Sequence, residues 1–152
     1  MMMIAGANIF AWLMTVEGVP ATLASAIQGV GGGKWTFLIL SVLVFLPLFA
    51  LLDGLPGMLM VMPVFVPIAQ QLGVDLVHYG IIITTVMGIA LFLPPFGVGL
   101  YIVLGLSGAT LGALSRYLLP YLATMTVIAL LIALVPWIVY IVPYLLGLYT
   151  PT

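Results

Sequence analysis

The amino-acid sequence predicts an all-α, polytopic membrane protein. Of its 152 residues, 66% are hydrophobic and only 3% are charged, and the mean hydropathy is +1.47. A soluble domain typically has about a quarter charged residues, because it needs a polar exterior. The apolar residues form several runs close to the roughly 20 residues that cross a bilayer as a helix, and proline and glycine interrupt these runs. Together these observations exclude a water-soluble domain.

The few polar groups exclude several classes of function. The charged side chains and the single histidine are Glu17, Lys34, Asp53, Asp75, Arg116 and His78. Two basic residues cannot form the positive surface that nucleic acid requires, so no nucleic-acid partner is expected. Without cysteine there is no disulfide or thiolate site. The serines are scattered in sequence relative to the histidine, so the pattern predicts no enzyme.

The first segment, residues 1–34, predicts a partial transmembrane helix followed by an interfacial helix. Residues 3–15 are apolar, but Glu17 ends the run before it reaches the roughly 20 residues of a full span. Residues 20–28 mix small, apolar and polar side chains, and the glycine run 31–33 follows. This pattern is typical of a short helix at the membrane surface that ends in a turn.

The second segment, residues 35–73, predicts a helical hairpin. Its apolar arms are 35–52 and 57–69, and they are joined by a polar tip at 53–57. The first arm would be about 27 Å long and the second shorter, against a hydrocarbon core of about 30 Å. The hairpin is therefore expected to be re-entrant, and two ordinary spans with an external turn are the alternative. Asp53 at the tip can bind a ligand or can simply cap the turn.

The third segment, residues 74–112, predicts a discontinuous transmembrane helix. Residues 74–80 form the most polar window outside the tips, so they are expected in a loop at the membrane interface with His78 in water. Helices are then expected over 81–93 and 100–108, with a break between them. Neither half is long enough to cross a bilayer alone.

Proline and glycine produce the break, which is predicted at residues 94–99. Pro95 has no N–H, and Pro94 is kept out of the helical region by the proline that follows it. Gly97 and Gly99 permit backbone conformations that other residues avoid. Carbonyl groups just before the break and N–H groups just after it therefore lose their helical partners.

The fourth segment, residues 113–152, predicts the final transmembrane helix. Its apolar run extends from about 117 to 146, which is long enough to span with tilt. Pro120, Pro136 and Pro143 are expected to kink or fray it.

Two breaks at membrane depth indicate a binding site. Each unsatisfied backbone group in hydrocarbon costs several kcal/mol, so such breaks persist only where protein, water or an ion satisfies them. Secondary transporters use half-helix N-termini to bind anionic substrates and unwound carbonyls to bind sodium. A structural or assembly subunit without its own transport site is the alternative function. That alternative would explain the apolar composition but not the two breaks.

Two long stretches of this chain closely resemble one family. LFALLDGLPGMLMVMPVFVPIAQQLGVDLVHYGIII (residues 48–83) and MGIALFLPPFGVGLYIVLGLSGATLGALSRYLLPYL (residues 87–122) resemble the C-terminal repeat of the large membrane subunit, or permease, of tripartite ATP-independent periplasmic (TRAP) transporters. The similarity extends over about residues 4–146. Its most specific parts are the tip that begins at Asp53 and the double-proline break.

The resemblance implies a particular arrangement of sites. The family's large subunit has two inverted repeats, and each contributes a hairpin and a discontinuous helix to a moving transport domain whose tips hold sodium and substrate. The positions that inherit this role are Asp53, Gly54, Pro56, Gly57, Ala90, Leu93, Pro94, Pro95, Phe96, Gly97 and Gly99. The backbone groups of Ala90, Leu93 and Gly97 are the candidate sodium ligands. Family members often have threonine just before the double proline and asparagine near the end of the break, where this chain has Leu93 and Gly99. Ligation is therefore expected from the backbone.

The resemblance also implies a function and partners. The function is sodium-coupled uptake of small organic anions of the carboxylate type, with sodium as the coupling ion and no other cofactor. The partners are membrane lipid, the N-terminal half of the large subunit, a small membrane subunit and a periplasmic solute-binding protein. The location is the cytoplasmic membrane of a bacterium or an archaeon. Because the family's large subunit has about twice as many membrane elements, this chain is expected to be a fragment that does not transport alone.

Overall fold

The computed structural model describes residues 2–29, 31, 33–52 and 54–145, and these residues form helices without β-strands. The helices are α1 (Met2–Val16), α2 (Val19–Gly29), α3 (Lys34–Leu52), α4 (Gly54–Gln71), α5 (Leu76–Ala90), α6 (Val98–Ser107), α7 (Leu111–Leu134) and α8 (Trp137–Leu145). Within the described residues, α3, α4 and α7 are long and apolar enough to cross a membrane. The predicted all-α, polytopic membrane fold is thus confirmed.

Helix α3 supplies the centre of the core. Its buried positions recur every three to four residues, as expected for one face of a helix, and they are Phe37, Leu38, Ser41, Val42, Phe45, Phe49 and Ala50. The ring of Phe45 lies 5.2 Å from that of Phe49 and 4.7 Å from that of Phe65 in α4. The ring of Phe37 lies 5.3 Å from that of Tyr79 in α5. Aromatic contacts therefore join the hairpin to α5.

Helix α5 occupies the middle of the fold, where it packs against α3, α4 and α7. It begins at Leu76, earlier than predicted, because the Asp75 carboxylate accepts hydrogen bonds from the N–H groups of Val77 (2.8 Å) and His78 (3.0 Å). Such a carboxylate satisfies N–H groups that have no partner inside the helix. The prediction that His78 lies in a solvated loop is wrong, because its side chain is only 1% exposed. The polar window at residues 74–80 is therefore the N-terminus of α5, which Asp75 caps.

Helices α6 and α7 are joined by a short turn. Gly108 adopts a left-handed conformation (φ 65°) after α6, and its N–H donates to the carbonyl of Leu104 at 3.0 Å. Glycine suits this position because a side chain would be strained there. The hydroxyl of Thr110 then accepts a hydrogen bond from the N–H of Ala113 at 3.4 Å and caps α7. Helix α7 consequently begins at Leu111, before the predicted start of the final run.

The final apolar run is divided between two helices. Helix α7 ends at Leu134 and α8 begins at Trp137. Pro136 lies between them and has no N–H with which to continue the helical pattern. The predicted disturbance at Pro136 is therefore confirmed as a break. Pro120, in contrast, lies inside α7 without ending it, and Pro143 lies inside α8.

Helices α1 and α2 lie against the hairpin. Both pack against α4, and they also contact each other. Their bounds are close to the predicted ones, and Glu17 and Gly18 form the turn between them. Residues 30 and 32 of the predicted glycine turn lie outside the described residues.

The hairpin consists of α3 and α4, which have 19 and 18 residues. The second arm is therefore longer than the predicted 57–69. The arms are antiparallel: Gly57 lies against Phe49 near the tip, and Phe65 lies 6.2 Å from Phe37 farther away. Two arms of similar length are compatible with both a re-entrant hairpin and two full spans, so the depth of the tip distinguishes them.

We expect the tip to lie at mid-membrane depth. Leu55 at the tip is 67% exposed, whereas Lys34 and Gln71 mark the base of the hairpin. In this cysteine-free chain, Lys34→Cys and Gln71→Cys should react with a membrane-impermeant maleimide from one common side. Leu55→Cys should not react from the opposite side. If Leu55→Cys is labelled from the opposite side as fast as Lys34→Cys is labelled from the side of the hairpin base, the two arms are full spans.

Candidate functional site

The break in the discontinuous helix occupies residues 91–97, so it begins earlier than the predicted 94–99. Helix α5 ends at Ala90 and α6 begins at Val98. A proline ring clashes with the carbonyl four residues before it and disfavours a helical conformation in the preceding residue. Pro94 therefore disrupts the turn that precedes it as well as its own position. The Pro94–Pro95 peptide bond is cis.

Hydrogen bonds within the break satisfy part of its backbone. The carbonyl of Leu93 accepts from the N–H of Phe96 at 3.2 Å and from that of Gly97 at 2.8 Å. The hydroxyl of Tyr101, one turn into α6, donates to the carbonyl of Pro95 at 2.6 Å. The break is therefore an ordered turn that a side-chain hydrogen bond from Tyr101 stabilises.

Just after α5, the carbonyls of Leu91 and Phe92 accept no hydrogen bond from the described residues, and farther along the break neither do those of Pro94 and Phe96. The carbonyl of Ala90, which was a predicted ligand, accepts from the N–H of Leu93 at 3.1 Å. A carbonyl has two lone pairs, so Ala90 keeps one for a cation, whereas hydrogen bonds from Phe96 and Gly97 engage both lone pairs of the Leu93 carbonyl. The free carbonyl of Leu91 can be predicted from the sequence. In a continuous helix this carbonyl would accept from the N–H of residue 95, but residue 95 is a proline and has no N–H.

Close packing leaves no room for a side chain larger than that of glycine in the second half of the break. Gly97 has φ −61° and ψ 117°, a conformation that any residue adopts, so the predicted conformational reason for glycine is wrong there. Instead, a Cβ at Gly97 would overlap the Leu91 carbonyl oxygen and lie 2.8 Å from the Leu93 nitrogen. A Cβ at Gly99 would lie 3.1 Å from the same oxygen. The chain after the break therefore lies directly against the end of α5.

The hairpin tip contacts α5 one turn before the break. A Cβ at Gly54 would overlap Cγ of Met87 and lie 2.9 Å from its Sδ. Gly54, Leu55, Met87 and Leu91 line a small pocket of about 150 Å³. Tip and break, which are separated by more than thirty residues in sequence, thus meet at one place. Asp53 lies outside the described residues.

The remaining described site residues of the prediction do not line this pocket. Gly57 is buried against the ring of Phe49, with 3.0 Å between that ring and a Cβ built on the glycine, and Pro56 is half-buried. Pro95 is exposed, and Phe96 is 56% exposed. Their surfaces are available to other membrane elements.

Among the described residues, the electrostatics of this region come from the backbone; Asp53, which precedes α4, has a carboxylate but lies outside the described residues. Residues 54–57 and 90–99 contain no charged side chain. The described parts of the chain contain no group of three or more His, Cys, Asp or Glu side chains that could hold a metal. A helix end carries a partial charge of roughly half a unit, negative at the C-terminus and positive at the N-terminus. The end of α5 can therefore attract a cation, while the start of α4 at the tip can attract an anion.

An apolar bundle in which a broken helix meets a hairpin tip defines a polytopic membrane protein. The chain belongs to the family described as the tripartite ATP-independent periplasmic transporter, DctM component, whose model matches residues 1–138. No solved structure matches the chain.

Individual relatives agree with this assignment. The chain is 34% identical to a C4-dicarboxylate TRAP transporter large permease protein of Pseudomonas aeruginosa, over 97% of this chain and 35% of the relative. It is 34% identical to an isethionate TRAP transporter permease protein of Oleidesulfovibrio alaskensis, over 86% of this chain and 20% of the relative. It is 28% identical to a sialic acid TRAP transporter large permease protein of Vibrio cholerae, over 95% of this chain and 34% of the relative. The chain spans about a third or less of the length of these relatives.

Gly97→Ala tests the close approach within the break. The added methyl would overlap the Leu91 carbonyl, and overpacking of this kind typically costs about 1–3 kcal/mol. Gly105→Ala in α6 is the matched control, because a Cβ there meets nothing within 4 Å and alanine favours a helix by up to about 1 kcal/mol. Thermal unfolding in detergent should show a lower midpoint for Gly97→Ala and an equal or higher one for Gly105→Ala. Equal midpoints in both variants would contradict this packing.

Proposed function

We propose that this chain forms one repeat of a TRAP transporter permease, in which the hairpin tip and the break together form half of a sodium and solute site. The permease lies in the cytoplasmic membrane of a bacterium and takes up small organic anions. The observation that carries the proposal is the pocket shared by Gly54, Leu55, Met87 and Leu91, which joins the two predicted elements.

Sodium is the ion that suits the end of α5. The carbonyls of Leu91 and Phe92 accept no hydrogen bond from the described residues, and they lie at the negative end of the helix. Unwound carbonyls and half-helix C-termini coordinate sodium in secondary transporters. The carbonyl of Ala90, which keeps one lone pair, and the backbone of Gly97 are close enough in the chain to contribute to such a site.

The solute is an organic anion. The relatives are named for C4-dicarboxylate, isethionate and sialic acid, which are all small organic anions. The starts of α4 and α6 carry partial positive charge and N–H groups, which is how half-helix N-termini bind anionic substrates. A sodium ion at the neighbouring end of α5 would attract the anion further, which supplies a physical reason for coupling.

Transport requires further elements. The chain contains one hairpin and one broken helix, whereas the proposed site needs a second set from the rest of the large permease. The proposed partners are that remainder, the small membrane subunit, a periplasmic solute-binding protein and surrounding lipid. We therefore expect this chain alone to show no uptake.

Replacing both Pro94 and Pro95 with alanine tests the ion site. Alanine restores two N–H groups, so the helix can close and engage the carbonyls at the end of α5. A charge-assisted hydrogen bond contributes about 1.5–3 kcal/mol, so losing one comparable contact to sodium should raise the sodium concentration for half-maximal uptake at least about tenfold. The measurement is sodium-dependent uptake by proteoliposomes that contain a complete transporter with this segment and its binding protein.

Pro120→Ala is the control, because Pro120 lies inside α7, and α7 is continuous through it. It should leave the sodium dependence unchanged. Vesicles with only this 152-residue chain should show no uptake. Unchanged sodium dependence in the double-alanine variant would assign the break a packing or hinge role, and uptake by the chain alone would refute the need for further elements.

A further inference from the structure

Pro136 leaves a main-chain carbonyl in α7 without its usual donor. In a continuous helix the carbonyl of Ile132 would accept from the N–H of residue 136, but proline has none. The N–H of Val135 does not replace it, because that group donates to the carbonyl of Leu131 at 2.8 Å. In a membrane such a carbonyl needs a partner from elsewhere in the protein.

The side chain of His78 supplies that partner. Its Nε2 lies 2.8 Å from the carbonyl oxygen of Ile132, so it bridges α5 and the end of α7. A carbonyl oxygen only accepts hydrogen bonds, so Nε2 must be the protonated nitrogen. Nδ1 is buried without a hydrogen-bond partner among the described residues. The ring is 1% exposed and lies 6.2 Å from the ring of Tyr140 in α8.

The packing around this bond fixes its geometry. Ala129 and Ala133, on the same stretch of α7 as Ile132, are fully buried, and such small residues let membrane helices approach closely. On α5, the neighbouring Tyr79 is 1% exposed and is held by its hydroxyl, 3.2 Å from that of Ser41 in α3. The histidine therefore has little freedom to point elsewhere.

We propose that His78 is a positioning residue that replaces the N–H missing at Pro136 and thereby holds the α7–α8 junction against α5. Helix α5 is the element whose other end forms the break, so the bond sets where the break sits relative to α7 and α8. Only the effect on uptake rests on the proposed function. The hydrogen-bond replacement itself is a property of the fold.

The replacement predicts that His78 and Pro136 are energetically coupled. Thermal unfolding of the full chain in detergent should show that His78→Leu lowers the midpoint by about 3 °C or more, because it leaves the half-buried Ile132 carbonyl without a donor. In the Pro136→Ala background the new N–H can serve that carbonyl, so His78→Leu should have little or no effect there. His78→Gln, which keeps a donor at a similar reach, should restore most of the midpoint.

Equal losses from His78→Leu in both backgrounds would overturn the proposal, as would a Gln variant no better than Leu. A measurement on the unsubstituted chain needs no variant: nitrogen-15 NMR of the histidine ring should show a proton on Nε2. The opposite tautomer would also overturn it.

In a complete transporter, His78→Leu should raise the sodium concentration for half-maximal uptake and His78→Gln should not. Unchanged uptake beside a confirmed coupling would refute only the link to the break.

Discussion

The structure depends on one constraint, which is that a backbone polar group in hydrocarbon must find a partner. Proline removes donors from this chain at several positions, and the fold responds differently at two of them. At Pro136 a histidine from another helix supplies the missing donor, so the carbonyl becomes part of the packing between α5 and α7. At Pro94 and Pro95 the response is incomplete: Tyr101 and local turns satisfy the carbonyls of Leu93, Pro95 and Gly97, while those of Leu91 and Phe92 accept no hydrogen bond from the described residues. The difference separates a structural break from a candidate binding site.

The proposed site would allow a chain with so few charged residues to bind an ion. Among the described residues, the charge at the pocket is partial, fixed in direction and carried by helix ends, so it does not incur the desolvation cost of a buried ionised side chain. Glycine makes the arrangement possible, because Gly54 and Gly97 let the tip and the break lie directly against α5. The single histidine does not line the pocket, because its side chain is bonded to the carbonyl of Ile132 in α7.

The sequence predicted the helical fold, the hairpin and the existence of the break, because proline, glycine and long apolar runs have strong local effects. It placed the break too late, since the effect of Pro94 on the preceding turn also has to be included. It misplaced His78, because a local polar window cannot reveal that Asp75 caps a helix or that Ile132, far along the chain, needs a donor. The free carbonyl of Leu91 was predictable from its spacing to Pro95. The role of Met87 was not, because it depends on a tertiary contact with Gly54.

The central claim is that the hairpin tip and the break form one ion-dependent site, and a cross-linking measurement tests it most directly. Cysteines at Leu55 and Leu91, placed in a complete transporter otherwise free of cysteine, should be joined efficiently by a short bifunctional maleimide. Sodium should slow the reaction, because an ion held at the end of α5 would occupy the space between them. A pair at Leu55 and Leu106, at the exposed far end of α6, should react poorly with or without sodium. Cross-linking of Leu55 and Leu91 that is absent, or that is insensitive to sodium, would contradict the account.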